Sequence, residues 1–317
     1  MNLKFILVNV LESYKNKKNI LVTGGSGQVG LALSSIALNL NFNFLFPTSK
    51  ELDLSNKNNI IEYCNECKPD LIINLGAYTN VNNAENEKNI AKKINADALD
   101  YLGQYSNSYK TGLIHFSTDY VFGNNGGPFH PESKTSPMNF YGLSKKLGED
   151  NLLKLNSNAL IIRLASVFSE NGNNFVKTIT DSILENKNIK VISDQSISLT
   201  YAGDVSNFIL RLIKVYFEKK DFSNFNSNII HFTNSGYTTW FKVAEYIHNE
   251  IKNYNIKTTS VLESILAKDW GASVIRSNDT RLNIENDWIK ANGMIIPDWE
   301  TRVSDVVKNI LSSRELI

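Results

Sequence analysis

The chain has 317 residues, enough for about two domains at roughly 150 residues per domain. Its 33 basic and 32 acidic residues nearly cancel, which argues against a nucleic-acid partner, because such partners are bound by a strongly basic face. No apolar run approaches the ~20 residues of a membrane-spanning helix, and two cysteines cannot form a disulfide scaffold. We expect a soluble globular protein of the cytoplasm that binds neither nucleic acid nor membrane.

Residues 1–18 precede the first predicted strand. Their short apolar stretch is interrupted by Asn9, lacks a small-residue cleavage site and is followed by Lys15, Lys17 and Lys18. This pattern does not favour a secretory signal. We interpret residues 1–18 as an N-terminal extension.

Short apolar runs then alternate with amphipathic stretches. Strands are predicted at residues 20–22, 44–46, 70–75, 112–117 and 159–164. Helices are predicted between them, the first ending near residue 40 and the others at residues 56–66, 87–105 and 139–155. This alternation is typical of an α/β fold with a doubly wound parallel sheet, whose ligand lies at the carboxyl ends of the strands.

The alternation loosens after residue 165. Helices are predicted at about residues 175–185, 204–218 and 239–251, with strands at 190–192 and 229–232, and an irregular stretch at 260–297 precedes a last amphipathic helix. We expect a dinucleotide-binding domain made of residues 19–165 and 189–232. A smaller α/β substrate-binding domain would contain residues 166–188 and 233–317.

A glycine-rich turn at residues 23–30 joins the first strand to the first helix. Gly24, Gly27 and Gly30 give the spacing G-x-x-G-x-x-G. Glycine permits a tight turn and lets a pyrophosphate approach the free N–H groups at the helix N-terminus. The position between strand and helix predicts dinucleotide binding, with a purely structural turn as the alternative.

The end of the second strand bears on the choice of cofactor. The acidic residue that would hold an NAD ribose is missing, and Ser49 and Lys50 stand in that region. These two side chains can accept a ribose 2′-phosphate, so the sequence favours NADPH over NADH. The alternative is that Lys50 is only a solvated turn residue.

Tyr141 and Lys145 form a Y-x-x-x-K pattern at the start of the helix that follows the fourth strand. The pattern also occurs at Tyr14 and Tyr216, but those positions lie outside the predicted crevice. Residues four apart share a helix face, so Lys145 should lie beside Tyr141 and lower the phenol pKa from ~10. Tyr141 would then serve as a general acid.

Thr118 ends the predicted fourth strand. A hydroxyl at this position faces the same crevice and can donate a hydrogen bond to a substrate carbonyl. The alternative is a cap of the strand end.

The cysteines and histidines give no metal signature. Cys64 and Cys67 form a C-x-x-C near the end of a predicted helix, whereas a redox pair should lie at a helix start and zinc needs four ligands. The four histidines have no ligand spacing. We predict no metal site and two packing cysteines.

Several of these segments together resemble extended short-chain dehydrogenases, and in particular the dTDP-4-dehydrorhamnose reductase family. The segments that carry the resemblance are residues 23–30, 117–122 and 141–149, with further matches at 51–55, 77–81, 173–175, 194–195, 238–240 and 297–299. The resemblance extends from about residue 19 to the C-terminus. It implies a Rossmann-like sheet with a smaller substrate-binding domain.

The resemblance also implies roles for individual residues. The implied cofactor contacts are Gly27, Gln28 and Val29 to the pyrophosphate, Asp53 and Leu54 to the adenine, and Ala77, Tyr78 and Thr79 near the nicotinamide-side ribose. Tyr141 would donate the proton and Lys145 would bind ribose. Thr118 and Asp119 would contact the sugar.

Departures from the family pattern lie on the substrate or assembly side. A substrate-contacting tryptophan is replaced by Ser166, and the family's Arg-Pro-x-Asn-Ser is represented by residues 276–280, which keep Arg276 but differ at the proline, asparagine and serine. The family's Asp-Gln-x-Gly-x-Pro-Thr is altered at residues 194–200. Ala32 stands where some relatives have a glutamate that serves an intersubunit metal, so we predict no such metal.

The predicted function is reduction of the 4-keto group of a nucleotide-linked 6-deoxysugar by NADPH, with NADH possible. We expect dTDP-4-dehydro-L-rhamnose as substrate, in cell-surface polysaccharide synthesis, and a monomer or homodimer. A dehydratase would need an Asp-Glu pair after Thr118, where Asp119 and Tyr120 stand. Two alternatives stay open: an epimerase, and a non-catalytic cofactor-binding subunit like the regulatory subunit of methionine adenosyltransferase.

Overall fold

The computed structural model describes residues 17–38, 40–155, 158–222, 225 and 227–317. The strands in this part of the chain are β1 Lys18–Thr23, β2 Phe42–Leu45, β3 Leu71–Asn74, β4 Gly112–Thr118, β5 Ala159–Leu164, β6 Val167–Phe168, β7 Ile189–Ile192, β8 Ser196–Ile197, β9 Thr200–Tyr201, β10 Ile229–His231, β11 Thr238–Thr239 and β12 Leu262–Ile265.

The helices of the same residues are α1 Gln28–Ala37, α2 Lys57–Cys67, α3 Val81–Ala84, α4 Lys88–Lys92, α5 Ala98–Tyr109, α6 Phe140–Lys154, α7 Phe175–Leu184, α8 Ala202–Lys219, α9 Trp240–Asn253, α10 Asp287–Ala291 and α11 Trp299–Ser313. A π-helical turn, Lys93–Asp97, joins α4 to α5, and Asp119–Val121 forms a 3-10 turn after β4. Asparagine begins several of these helices, because its side chain accepts the free N–H groups of the first turn.

Six parallel strands form the central sheet in the order β10-β5-β4-β3-β1-β2. Helices α1 and α8 cover one face, and α2, α5 and α6 cover the other. The winding direction reverses between β1 and β3, and such a switch point opens a crevice at the carboxyl ends of the strands. The predicted doubly wound α/β fold is confirmed.

A second apolar core lies outside the sheet. It joins α7, α9 and α11 with the short parallel pair β7 and β12. We expected residues 189–232 to belong wholly to the dinucleotide-binding part, but Val191, Ile197 and Leu199 pack in this second core. The reason is the pairing of β7 with a strand about 70 residues further along the chain, which local patterns do not reveal.

Other differences from the sequence expectation are local. The predicted helix at 87–105 extends to residue 109 through the π-helical turn, and the irregular stretch at 260–297 contains β12 and α10. Residues 1–16 of the predicted N-terminal extension lie outside the described residues, so the structure does not test that interpretation. Within the described part, no helix has both the length and the apolar character needed to cross a bilayer.

Candidate active site

The loops after β1 and β3 touch each other because glycines stand at the contact. Gly24 has φ +70°, and a Cβ there would lie 2.6 Å from the main-chain nitrogen of Gly76. A Cβ on Gly30 would lie 2.5 Å from the Gly24 carbonyl oxygen, so α1 also packs closely on the loop. The predicted need for glycine in residues 23–30 therefore has a direct steric cause.

A cavity of about 300 Å³ opens where these loops meet. The predicted residues that line it are Gly24, Gly27, Ser49, Asp53, Leu54, Ala77 and Thr79. Main-chain groups at a helix N-terminus, small side chains and one carboxylate suit the pyrophosphate and adenosine of a dinucleotide. The residues present therefore fit the cofactor that the sequence predicts.

Two predicted cofactor contacts, Lys50 and Tyr78, are not part of the lining of this cavity. Lys50 is exposed and lies outside the lining of this cavity. The Tyr78 hydroxyl donates a hydrogen bond to the carboxylate of Glu87, while the Tyr78 main-chain N–H donates to Asn95 Oδ1 at 2.8 Å. The Tyr78 side chain is thus held away from the cavity, and only its main chain adjoins Ala77 and Thr79.

Gln28 and Val29 present their side chains to the protein. The Gln28 amide nitrogen donates to the Val167 carbonyl at 3.3 Å, and its Oε1 accepts from Ser169 Oγ at 3.0 Å and from Asn174 Nδ2 at 2.9 Å. Val29 is buried in the core beside the sheet. The main chain of these residues forms the N-terminus of α1, and the Gln28 side chain links this end to the second core.

Tyr141 lies in the first turn of α6, which packs against the 3-10 turn that follows β4. Asn139 caps α6 by accepting from the Gly142 N–H at 2.9 Å, which places Tyr141 in the first turn. A Cβ on Gly142 would lie 2.1 Å from the Tyr120 carbonyl oxygen, so only glycine allows this close packing. This places the Tyr141 phenol beside the Thr118 side chain, close enough for Thr118 to affect the phenol pKa.

Thr118 joins the phenol to a buried carboxylate. Its hydroxyl donates to Asp119 Oδ1 at 2.9 Å, and its oxygen accepts from the Tyr120 N–H at 3.2 Å. Thr118 is therefore both the cap of the turn and a hydroxyl facing Tyr141. The two alternatives for Thr118 are compatible.

The pKa of Tyr141 is raised above its ordinary value. Burial is the main cause, the adjoining Thr118 side chain opposes it, and the neighbouring Asp119 adds to it. The expectation that Lys145 lowers this pKa is wrong, because the Lys145 ammonium is directed to β4. Nζ donates to the Phe116 carbonyl at 2.7 Å and lies 3.2 Å from His115 Nε2.

Lys145 is 2% exposed. Burial lowers the pKa of its ammonium group to about 7, and the negative Glu149 opposes this change. Glu149 is itself held in a buried pair, accepting from Arg163 Nε at 2.8 Å and Nη2 at 2.7 Å. The helix that presents Tyr141 is thus fixed to β5 by a bidentate ion pair.

Asp119 contacts Thr280, a residue from the C-terminal part of the chain. Its carboxyl is buried, which raises its pKa to about 6, while hydrogen bonds from Thr280 and Thr118 act in the opposite direction. Arg276, four residues before Thr280, donates to Asn82 Oδ1 at 3.0 Å and interacts with the Tyr120 hydroxyl. The predicted substrate residues Asp119 and Arg276 therefore lie beside the Thr118 turn.

Sequence reasoning missed a second cavity of about 220 Å³ beside Arg276. Phe175, Trp240 and Trp270 supply its aromatic lining, and the rings of Phe175 and Trp240 are 4.6 Å apart. Phe175, Gln195, Trp240 and Arg276 of its lining lie in segments that were compared with the family pattern, but no pattern predicted that they share a cavity. Ser166 lies just before β6 with φ 44°, and its carbonyl accepts from the Thr200 N–H at 3.3 Å.

The other Y-x-x-x-K pairs lie elsewhere. Tyr216 accepts a hydrogen bond from the Gly112 N–H at 2.7 Å, at the amino end of β4, so its predicted place outside the crevice is confirmed. Tyr14 lies outside the described residues. A cavity of about 780 Å³ adjoins Tyr216, away from the loops that follow the strands.

The cysteines are thiols at neutral pH. Burial raises the pKa of Cys64 to about 12 and that of Cys67 to about 11. Cys64 packs in the core between α2 and the sheet. In the described ranges, no three His, Cys, Asp or Glu side chains are grouped so as to hold a metal ion.

Known proteins resemble the chain along nearly its whole length. Residues 18–312 match the family described as RmlD substrate binding domain. The dTDP-4-dehydrorhamnose reductases of Escherichia coli (strain K12) and Salmonella typhimurium are 30% and 31% identical over 300 residues, which cover 93% of this chain and 99% of each relative.

Solved structures agree with these matches. The crystal structure of dTDP-4-dehydrorhamnose reductase from Bacillus anthracis in complex with NADP has a TM-score of 0.80 at 27% identity, covering 92% of this chain and 99% of that chain. A UDP-glucose 4-epimerase from Thermus thermophilus, with TM-score 0.72 and 14% identity, covers 92% of this chain and 98% of its own, and shares the fold alone. The resemblance predicted from the sequence is confirmed.

Proposed function

The chain belongs to the family described as RmlD substrate binding domain, and on this premise we propose that it reduces the 4-keto group of dTDP-4-dehydro-L-rhamnose with NADPH. The product would be dTDP-L-rhamnose, a precursor of cell-surface polysaccharide. One observation supports this most: the Tyr141 phenol lies beside Thr118, at the same edge of the sheet as a cavity that fits a dinucleotide.

The cofactor would be held by the loops that follow β1, β2 and β3. We assign its pyrophosphate to the main chain at Gly27–Val29, its 2′-phosphate to Ser49 and Lys50, its adenine to Asp53 and Leu54, and its nicotinamide-side ribose to Lys145 and residues 77–79. When bound, NADPH supplies a hydride to the keto carbon of the sugar.

Tyr141 would supply the proton that completes the reduction. The raised pKa keeps the phenol protonated at neutral pH but makes it a weaker acid than a free phenol, so proton donation would depend on the negative charge that develops on the keto oxygen. Thr118 would turn its hydroxyl from Asp119 to donate a hydrogen bond to the keto oxygen and so favour the negative charge that develops there. The two hydroxyls already adjoin each other, so one oxygen atom can receive both.

The sugar nucleotide would lie between the two cores. We assign Asp119 to a sugar hydroxyl, Ser166 to the sugar pocket, and Arg276 with its aromatic cavity to the nucleotide part. Residues 19–165 and 200–232 would bind the cofactor, and residues 166–199 and 233–317 the sugar nucleotide. We propose that the protein works in the cytoplasm as a monomer or homodimer.

The test is to follow reduced-nicotinamide absorbance after adding enzymatically generated dTDP-4-dehydrorhamnose, with NADPH and NADH in parallel. We expect oxidation of cofactor with a higher kcat/KM for NADPH. Tyr141→Phe is the matched control for the chemistry. Tight binding of NADPH without oxidation would overturn the proposal in favour of a regulatory subunit, and interconversion of sugars without net oxidation would favour an epimerase.

A further inference from the structure

A row of buried polar side chains crosses three strands beneath Lys145. Thr23, Asn74 and His115 occupy neighbouring register positions on β1, β3 and β4, and each is no more than 2% exposed. Thr23 Oγ1 lies 2.5 Å from Asn74 Oδ1, Asn74 Nδ2 lies 3.0 Å from His115 Nδ1, and His115 Nε2 lies 3.2 Å from Lys145 Nζ. Apart from Lys145, this row has no part in the proposed reaction.

The amide orientation fixes where the histidine carries its hydrogen. Thr23 donates to Asn74 Oδ1, so Asn74 Nδ2 donates to His115 Nδ1, which must then be unprotonated. A neutral imidazole therefore carries its hydrogen on Nε2, facing Lys145 Nζ. An ammonium group has no lone pair, so this arrangement requires Lys145 to be an uncharged amine.

A second arrangement suits the charged lysine. If the Asn74 amide turns over, Oδ1 accepts from His115 Nδ1–H, and Nε2 is free to accept from the Lys145 ammonium. Asn74 Nδ2 then donates to Thr23 Oγ1, which already accepts from the Gly76 N–H at 3.0 Å and has a second lone pair. The second arrangement needs Thr23 and Asn74 to move slightly apart, because their 2.5 Å contact is shorter than an N–H···O hydrogen bond, and the Thr23 hydroxyl hydrogen then turns away from Asn74.

A charged imidazole is disfavoured as a third state. Burial and the nearby lysine lower the pKa of His115 well below its ordinary value. Among the described residues, Glu149 of α6 favours the Lys145 ammonium, Asn95 of the π-helical turn donates to Ser144 Oγ at 2.9 Å, and Asp119 acts on the phenol. His115 is thus the titratable side chain of β4 that faces Lys145.

We propose that His115 and Asn74 are positioning residues for Lys145, and that the charge on Lys145 selects the tautomer of His115. His115 carries its hydrogen on Nδ1 when Lys145 is an ammonium and on Nε2 when Lys145 is an amine. In both states the imidazole holds Nζ beside the Phe116 carbonyl. The proposal rests on the proposed function for the importance of Lys145, but its first test needs no turnover.

That test is ¹⁵N-histidine NMR of the full chain, which distinguishes the two neutral tautomers, from about pH 5 to about pH 9. We expect His115, assigned by the loss of its signals in His115→Gln, to change from Nδ1–H to Nε2–H as pH rises. His231 is a built-in reference, since it is also buried and its Nδ1 donates to the Asn283 carbonyl at 3.1 Å, so it should keep Nδ1–H.

Three NMR outcomes would overturn the proposal. They are one His115 tautomer at all pH values, an imidazolium in this range, or an unchanged switch in Lys145→Met. Each is independent of whether the protein turns over a sugar. If NADPH oxidation fails but the switch is seen, the proposed function fails and the positioning inference stands.

Asn74→Asp gives the second test. A carboxylate accepts from Thr23 as the amide does, but it can only accept from His115 and so keeps Nδ1–H. We expect the His115 switch to disappear and the pH at which kcat changes with Lys145 ionisation to rise by about one unit, a tenfold change in the ionisation equilibrium. A purely structural role would lower kcat equally at every pH, and that result would contradict the proposal.

If Asn74→Asp does not fold, the kcat values of His115→Leu and His115→Gln are compared instead. Glutamine has both a donor and an acceptor and can turn to serve either state of Lys145. We expect His115→Gln to recover most of the kcat that His115→Leu loses, with KM for NADPH similar in both. Equal kcat values in the two variants would overturn the assignment of His115.

Discussion

Strand β4 has a Y-x-x-x-K pair at each end, and the two pairs have different surroundings. At the carboxyl end, Tyr141 lies on Thr118 and its partner Lys145 is buried against the strand. At the amino end, Tyr216 accepts from the Gly112 N–H. Burial raises the pKa of both phenols, so the ionisation of the tyrosine does not distinguish the pairs.

The two ends differ in the backbone around each phenol. At the carboxyl end, the loops after β1 and β3 form a glycine-lined cavity, and the Thr118 turn follows the neighbouring strand β4 at the same edge of the sheet. At the amino end the phenol completes a backbone hydrogen bond, and Lys220 is an exposed residue whose ammonium lies 4.7 Å from the centroid of the Phe217 ring. The cavity there is larger, about 780 Å³, so cavity size is a poor guide to chemistry in this fold.

The largest expected effect is that of Tyr141→Phe. It removes the proposed proton donor but keeps the ring, so kcat should fall by about 10²–10⁴-fold, while the Kd for NADPH stays within about twofold. Steady-state NADPH oxidation and a fluorescence titration of NADPH measure the two quantities. A kcat within threefold of the wild-type value would remove the distinction between the two ends of β4.

Lys145→Met should act on both catalysis and the pH dependence of stability. We expect kcat/KM to fall by roughly 10²-fold, because the variant loses the residue proposed to hold the nicotinamide-side ribose in position for hydride transfer. The folded pKa of Lys145 is lowered to about 7, so between that pH and its ordinary pKa the unfolded chain binds more protons. Stability therefore rises with pH in this window, by up to about 1.4 kcal/mol per unit, and the variant should lack this slope.

Urea unfolding at several pH values from about 6 to about 9 measures that slope for Lys145→Met and the wild type. Below about pH 7 the lysine is charged in both the folded and unfolded states, so its contribution no longer changes with pH. Parallel stability curves for the two proteins across the whole range would contradict the lowered pKa.

The sequence alone predicted the elements and positions that depend on local patterns. Apolar runs placed the strands of the sheet, and the glycine spacing placed the turn at residues 23–30, where the backbone leaves no room for a Cβ. The position of Tyr141 after β4, rather than the Y-x-x-x-K pattern, separated it from Tyr216. These predictions needed only the spacing of apolar residues along the sequence and the geometry of parallel sheets.

Long-range pairing and side-chain direction could not be predicted in this way. Helical spacing places Lys145 on the same face as Tyr141, but the choice of Phe116 and His115 as its partners depends on how α6 lies across β4. Likewise, the pairing of β7 with β12 and the aromatic cavity beside Arg276 bring together distant segments. Such contacts have no signal at short sequence separation.

Tyr216→Phe should give the reverse result to Tyr141→Phe. It leaves the buried N–H of Gly112 without its acceptor, which costs about 1–3 kcal/mol of unfolding free energy. We expect kcat and the Kd for NADPH to stay at wild-type values, since the change lies at the opposite end of β4. Urea unfolding and the oxidation assay check both parts, and a tenfold loss of kcat with normal folding would show that the amino end also takes part in catalysis.

Lys220→Met should have the smallest effect and serves as the matched control for Lys145→Met. The Lys220 ammonium lies over the Tyr216 and Phe217 rings, 5.7 Å and 4.7 Å from their centroids, and an exposed interaction of this kind contributes only about 0.5–1 kcal/mol. The Lys220 carbonyl still accepts from Asn158 Nδ2 in the variant, because the main chain is unchanged. We therefore expect unchanged kcat and a stability curve parallel to that of the wild type at every pH. If Lys220→Met changed the pH dependence of the unfolding free energy as Lys145→Met does, the effect would not depend on burial of the lysine. That result would contradict the contrast between the buried Lys145 and the exposed Lys220.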